Sequence, residues 1–293
     1  MQFQKAVRKR AKLRLALSGP SGSGKTHGAL LIAKGLGGRI AVIDTERESA
    51  SLYTHLVDFD TLVLSPPFAP ERFIEAIGVA AKAGYDVCII DSITHEWDGS
   101  GGCLEINEAT AHAKYKGNTW AAWNETTPRH RSFLDSIMQA PMHVIVTMRS
   151  KTETVQGDDK KVKKLGMKAV QREGSEYEFS AVLDMEHERH YAVASKDRTN
   201  LFAEPHIITA ETGTRIMAWL DSGAIPSLSE SEATDHMSAI DAAADQDSLK
   251  TAFGAAYTAA KKIGDTARMT AFQTKYEARK SQWLAAATTG EAA

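Results

Sequence analysis

Eight consecutive residues carry the most specific chemistry in this chain: Gly19-Pro20-Ser21-Gly22-Ser23-Gly24-Lys25-Thr26. They fit G-x-x-x-x-G-K-[ST] and stand between an apolar run, Leu13 to Leu17, and an apolar helical pattern starting at His27. Strand, glycine loop and helix is the context that makes this motif a phosphate-binding loop. Glycines let successive N–H groups converge on an anion, and the following helix adds unpaired N–H groups and the positive end of its dipole. Lys25 can reach the β- and γ-phosphates, and the Thr26 hydroxyl can hold Mg²⁺. The expectation is a triphosphate site running from Gly19 through His27, with ATP and Mg²⁺ as cofactors.

Such a site needs carboxylates. Asp86 to Asp91, DVCIID, reads as a buried strand with an acid where the apolar run stops. That is the form of a Walker B strand, so Asp91 is the expected second metal position beside Thr26. Many ATPases place the catalytic glutamate directly after this aspartate, but Ser92 stands there. The acid that orients or deprotonates water must come from elsewhere. Glu46, at the end of the strand RIAVID, is the best candidate, and Glu96 is the fallback.

Basic residues form two further groups. The first fourteen residues hold Lys5, Arg8, Lys9, Arg10, Lys12 and Arg14 and no acid, an arm able to neutralise phosphates or simply a solvated terminus. From Arg149 to Arg172 the chain turns polar and centres on Lys160, Lys161, Lys163, Lys164 and Lys168. Gly157-Asp158-Asp159 reads as a turn, which allows two short strands in a hairpin. A charged excursion this long inside a compact domain is functional or disordered. We read it as a nucleic-acid-facing loop, with a plain solvated loop as the alternative.

The elements that must position these groups alternate. Strands are expected at Leu13–Leu17, 39–44, 61–64, 86–91, 142–148, 181–185 and 191–195. Helices follow the glycine loop and start at Pro70, around Trp120, and again at Pro128 with Thr127 as N-cap. Alternation of this kind predicts an α/β fold with a largely parallel sheet covered on both faces. A Ser-rich stretch with Gly223 and Pro226 marks a boundary, giving a basic arm 1–14, a core 13–222 and a linker 223–234. An alanine-rich helical module 235–289 follows, with Leu249, Phe253, Tyr257 and Ala260 on one face and Met269, Phe272, Tyr276 and Trp283 on another.

Bulk properties narrow the classes. The 293 residues are 43% hydrophobic and 25% charged, as in ordinary globular proteins, and a net charge of −2 means any nucleic-acid contact must be local. No apolar run approaches a membrane span and the first residues lack a signal-peptide core, so no membrane partner and a cytoplasmic location are expected. Cys88 and Cys103 lack metal-ligand spacing and read as reduced thiols.

On these residues the chain resembles the RecA/recombinase family. VIDTERESASLY is similar to its strand ending in Asp-x-Glu, and CIIDSIT to its Walker B segment followed by Ser. HVIVTMR resembles its strand that ends in a polar sensor and leads into a DNA loop, with Thr147, Met148 and Arg149 where that family has Asn-Gln. The resemblance implies a RecA-like P-loop NTPase core plus a small all-α module. It implies that the lysine-rich segment is a DNA loop, and that Lys196 and Arg198 reach the γ-phosphate of an adjacent subunit. It implies, too, that Phe3 and Ala6 of the Phe-x-x-Ala stretch dock subunits. Lacking that family's N-terminal helical domain, the core most resembles phage RecA-like single-strand-annealing ATPases. The tail resembles the C-terminal module of phage recombination proteins.

The resulting expectation is a DNA-stimulated ATPase that assembles as a homo-oligomer on single-stranded DNA and promotes annealing or recombination. Glu46, Lys25, Lys196 and Arg198 would be catalytic. The helical module would bind a single-strand DNA-binding protein, in a host cytoplasm if the chain is phage-encoded. A small-molecule kinase and a non-enzymatic ATP-switched adaptor are the alternatives.

Overall fold

The computed structural model describes residues 11–156, 162–223 and 227–289, with side chains described outside 152–167 and 283–289. Two compact units result, 11–221 and the segment from Ser222 onward.

In the first unit, β1 (Arg14–Gly19) leads through the glycine loop into α1 (Lys25–Leu36). β2 (Ile40–Asp44), a 3-10 turn (Ser49–Tyr53) and β3 (Asp60–Val63) follow, then α2 (Pro70–Lys82) and β4 (Val87–Asp91). Three helices come next: α3 (Thr94–Asp98), α4 (Cys103–Lys114) and α5 (Thr119–Gln139). β5 (His143–Gln156), β6 (Val162–Ala169), β7 (Ala181–Met185), β8 (Tyr191–Asp197), β9 (His206–Ile207) and α6 (Ala210–Asp221) complete the unit.

The sheet order is β3-β2-β4-β5-β1-β7-β8-β9, with β6 paired to β5. The strands from β3 to β7 along this order run parallel, whereas β8 and β9 are antiparallel. Every residue of β1, β2 and β4 is buried, which is why these strands read as unbroken apolar runs. Leu15, Leu17, Leu30, Ile32 and Ile216 pack one face, against α1 and α6. Ile43, Phe73, Ile77, Phe133 and Ile137 pack the other, against α2 and α5. Each of these large side chains contributes about 1.5–3 kcal/mol on burial. The α1–α6 approach is so close that a Cβ on Gly35 would lie 1.9 Å from the Ala210 carbonyl oxygen.

Three expectations change. The two helices placed around Trp120 and Pro128 are one helix, α5, with Pro128 inside it and Asn118, not Thr127, as its N-cap. Pro128 removes one backbone bond, but Ala122, Thr126, His130, Phe133 and Ile137 bury one continuous face across it. Burial of that stripe outweighs the lost bond. The strand placed at 142–148 does not stop there, since β5 continues to Gln156 and pairs antiparallel with β6. Arg14 is no arm residue. It is buried, and its guanidinium donates to the carbonyl oxygens of Leu13, Met142, Met138 and Ala140, closing the C-terminal end of α5. Burial pushes its pKa down to about 10. Lys5, Arg8, Lys9, Arg10, Phe3 and Ala6 lie outside the described residues.

The second unit contains α7 (Glu230–Asp241), α8 (Gln246–Ile263) and α9 (Thr266–Thr289). Ser229–Glu232 and Asp245–Ser248 form capping boxes, so α7 begins inside the stretch read as linker. Gly264 ends α8 in the left-handed region, and the Asp265 carboxylate accepts the Arg268 N–H. Its core holds Ile240, Leu249, Ala256, Ala260 and Phe272, with Phe253, Met269 and Tyr276 packed against it. The Trp283 side chain lies outside the described residues. No helix among the described residues is long and apolar enough to cross a membrane.

Candidate nucleotide site

Parallel strands deliver their C-terminal ends to one edge of the sheet, where ligands bind in open α/β folds. Register makes this concrete: Leu17 of β1 pairs with Thr147 of β5, Ser18 with Asp184 of β7, and Asp44 of β2 with Asp91 of β4. The glycine loop, Glu46, Asp91, Thr147 and Arg149 therefore meet without any long excursion of chain. All but Thr147, which is buried behind Asp91, border a cleft of about 790 Å³ lined by Ser21, Gly22, Gly24, Lys25, Thr26, His27, Glu46, Asp91 and Arg149. Gly19, Pro20 and Ser23 are not on its wall. They shape the loop: the Pro20 carbonyl accepts both the Ser23 N–H and the Lys25 ammonium, and a Cβ on Gly19 would sit 2.8 Å from the Met185 carbonyl oxygen.

Gly22 and Gly24 have φ of 79° and 88°, a region that side chains disfavour. Gly24 is the N-cap of α1 and supplies no side-chain cap, so the first turn of that helix faces the cleft with its dipole uncapped. Lys25 is half-buried and its pKa lies below the usual lysine range. Burial drives that shift, against the opposing pull of Asp91 and Glu46.

The metal candidates meet directly. The Thr26 hydroxyl donates to Asp91 Oδ2 at 2.6 Å, and the Thr147 hydroxyl donates to Asp91 Oδ1. Asp91 is buried, and burial raises its carboxyl above the ordinary aspartate value despite these two hydrogen bonds. A hydroxyl and a carboxylate 2.6 Å apart form an all-oxygen donor set, which suits a hard cation such as Mg²⁺.

The two glutamate candidates are now far apart in character. Glu46 is at the cleft: Ser92 Oγ donates to its Oε1 at 3.0 Å, and Arg149 grips both of its oxygens, Nε to Oε1 at 2.8 Å. Burial pushes the Glu46 carboxyl up, but the hydrogen bonds and charge of Arg149 outweigh it and hold the pKa below the usual value. Ser92, standing where a glutamate was absent, thus steadies the glutamate of the neighbouring strand. Asp44 holds the turn beneath it, accepting the Glu46 and Ala50 N–H groups. Glu96 is instead fully buried against Cys103 and His130 and borders no part of the cleft.

Lys196 and Arg198 do not reach this cleft within the chain. Lys196 donates to the carbonyl oxygens of Glu176 and Tyr177, and Arg198 to that of Tyr177. Because β8 runs antiparallel to β7, its end lies level with the start of β1 rather than with the glycine loop. Of the lysine cluster, Lys160 and Lys161 lie outside the described residues, and Lys163 and Lys164 are described only as backbone paired to Val155 and Thr154. Lys168 is exposed and lies 3.9 Å from Glu173.

Sequence reasoning missed part of the cleft wall. Tyr53 lines it and meets the His27 ring edge-on at 5.7 Å. From the β7–β8 turn, Arg189 and His190 line it as well, with His190 Nδ1 3.2 Å from the Ser23 carbonyl oxygen. The run EHERH between two strands was a visible charge cluster, but its closeness to the glycine loop follows from β7 pairing beside β1, which no local pattern announces.

Residues 11–218 match the family described as the AAA domain. No curated protein matches the chain. A matched span that covers the whole sheet, with the glycine loop, Thr26 and Asp91 at its C-terminal edge, means that this chain belongs to the AAA-domain family of P-loop ATPases.

Proposed function

We propose that this ATPase works on single-stranded DNA, assembling along it and promoting annealing or recombination. One observation carries the reading. β5 holds Arg149 at the nucleotide cleft and Thr147 on Asp91, then runs on to Gln156, pairing with β6 from Ser150 onward, with a register shift after Glu153, to form the lysine-bearing hairpin. A phosphate backbone held by that hairpin pulls on the strand that contacts Asp91 and Glu46. DNA binding and hydrolysis then share one strand.

In this reading the glycine loop, Lys25 and Thr26 bind the triphosphate, and Tyr53 offers an aromatic face to the base. Thr26 and Asp91 hold Mg²⁺, which neutralises charge on the phosphates when bound. Glu46 accepts the proton of the attacking water. It does so once Arg149 loosens, because a carboxylate held low by an arginine is a weak base. Lys196 and Arg198, which meet no phosphate site in their own chain, serve the next copy. An added cation of that kind is worth about 10³–10⁵ in rate. The C-terminal helices dock a partner such as a single-strand DNA-binding protein, and a phage origin accords with the resemblance of both units.

The test is ATP turnover with and without single-stranded DNA. Stimulation by DNA supports the reading. Acceptor-dependent hydrolysis indicates a kinase, and negligible hydrolysis with intact ATP binding indicates a switch.

A further inference from the structure

Away from the nucleotide cleft, three helices bring a second set of reactive side chains together. Glu96 comes from α3, Cys103 opens α4 and His130 comes from α5, and all three are buried. Cys103 Sγ lies 3.0 Å from Glu96 Oε1, and His130 Nδ1 lies 3.1 and 3.2 Å from the two carboxylate oxygens. The donor atoms all fall within 4.8 Å of one another, the one such group of His, Cys and acidic residues among the described residues. We propose that this cluster is a zinc(II) site.

Donor chemistry comes first. Sulfur, imidazole nitrogen and carboxylate oxygen are the three protein donors zinc takes, and three protein ligands leave a fourth position for water. Charge agrees. A thiolate and a carboxylate cancel a dication, so the loaded site is neutral, whereas a lone buried carboxylate is costly. Geometry needs little adjustment. Zinc bonds of about 2.0–2.3 Å at tetrahedral angles separate ligand atoms by about 3.3–3.6 Å, so the sulfur–oxygen and nitrogen–oxygen spacings must open by about 0.1–0.6 Å and the sulfur–nitrogen spacing, within 4.8 Å, must settle into the same range.

Two further features fit a ligating histidine. Ser175 Oγ lies 3.5 Å from His130 Nε2, so with Nδ1 on the metal the other ring nitrogen faces an orienting partner. His130 and Ser175 also border an open cleft of about 330 Å³, which brings solvent to the Ser175 side of the ring, whereas Glu96 and Cys103 do not line it. Binding exchanges the Cys103 thiol proton for the metal and moves the imidazole proton to Nε2. The ion would staple α4 and α5 to α3, the helix directly after Asp91, whose Thr94 hydroxyl accepts the Arg149 N–H. No spacing rule in the sequence finds such a set, because its members lie on three separate helices.

The experiment uses the full-length, untagged protein. It is incubated with zinc, desalted and analysed for metal, then titrated with cobalt(II) as a spectroscopic probe. The expected result is about one zinc retained per chain. Cobalt should give a near-ultraviolet thiolate-to-metal band that saturates at one equivalent and is bleached by zinc. Cys103→Ser should abolish the band and weaken zinc binding by at least about tenfold, the lower end of what even an outer partner costs. Cys88→Ser, in β4, should keep both. Cobalt bound at Thr26 and Asp91 gives no such band, since no sulfur is there. A wild-type protein that retains no zinc, or takes up cobalt without the band, overturns the proposal whether or not Cys103→Ser folds. The cluster is then a hydrogen-bonded core and nothing more.

Discussion

Replacing Glu46 with Gln keeps the side chain's shape and its contact with Ser92 while removing the charge that can take a proton from water. The structure bounds the cost to the fold. The Arg149 side chain is 47% exposed and Glu46 21%, so the lost ion pair is worth at most about 1 kcal/mol once solvent screening is counted. In a unit of this size that is a melting shift of about 2–4 °C. Loss of a general base costs much more, about 10²–10⁴ in rate, or about 3–5 kcal/mol of barrier. Turnover and stability should therefore separate cleanly. Steady-state phosphate release with saturating Mg²⁺ and ATP, with and without single-stranded DNA, measures the first. Calorimetric ATP binding and a melting curve measure the second. Glu71→Gln is the matched comparison, since it removes the same kind of ion pair, with Arg129, away from the cleft. It should cost at most about 1 kcal/mol of stability, with turnover kept. If Glu46→Gln hydrolyses ATP within threefold of wild type, Glu46 is only an ion-pair partner and the reasoning fails.

Three further outcomes are expected. Arg149→Ala leaves burial of Glu46 opposed only by His95 and the Ser92 hydrogen bond, so its carboxyl rises and the acidic limb of the kcat–pH profile moves to higher pH. An unmoved limb would show that Arg149 does not govern that carboxylate. Replacing Lys160, Lys161, Lys163 and Lys164 with Ala should weaken DNA binding and flatten its salt dependence by about 0.7 in log–log slope per lost single-strand contact. An unchanged slope assigns the hairpin to solvent. His143 accepts the Leu13 N–H on Nδ1. Burial, with Lys12 and Arg14 nearby, pushes its pKa down to about 4 from 6.5, against the opposite pull of Asp86 and Asp221. The folded state therefore needs the neutral ring. Its stabilisation is complete above pH 6.5 and is lost as pH falls towards 4, by at most about 3 kcal/mol. Urea unfolding across that window should show the decline in wild type and a smaller one in His143→Gln. Burial raises the carboxyls of Asp91 and Asp184, which act with the opposite sign, so equal slopes in both proteins would remove His143 from the account.

Local order was legible because its signals are local. The glycine loop, the apolar runs of β1, β2 and β4 and the acids that close two of them need only strand and turn chemistry to be read. Asp91 beside Thr26 followed from the motif, and Ser92 after Asp91 turned the search for a second acid to Glu46, with Glu96 as the fallback. Where long-range burial competes with a local rule, the local rule lost. Pro128 did not break α5, because one buried stripe runs through it. Arg14 did not join the basic arm, because its guanidinium is buried on carbonyl oxygens that include those of Met138 and Ala140 at the end of α5.

What only the tertiary structure decided are the meetings between distant segments. Strand order set β5 between β1 and β4, and that alone brings Thr147 onto Asp91 and Arg149 onto Glu46. β7 beside β1 carried Arg189 and His190 to the glycine loop. Packing of α3, α4 and α5 made a single cluster of Glu96, Cys103 and His130. Residue types and spacing along the chain therefore determined that a triphosphate could be cradled here. Which carboxylate faces it, and which arginine restrains that carboxylate, depended on pairing across the sheet, because charges act through space and the sequence records only their order along the chain.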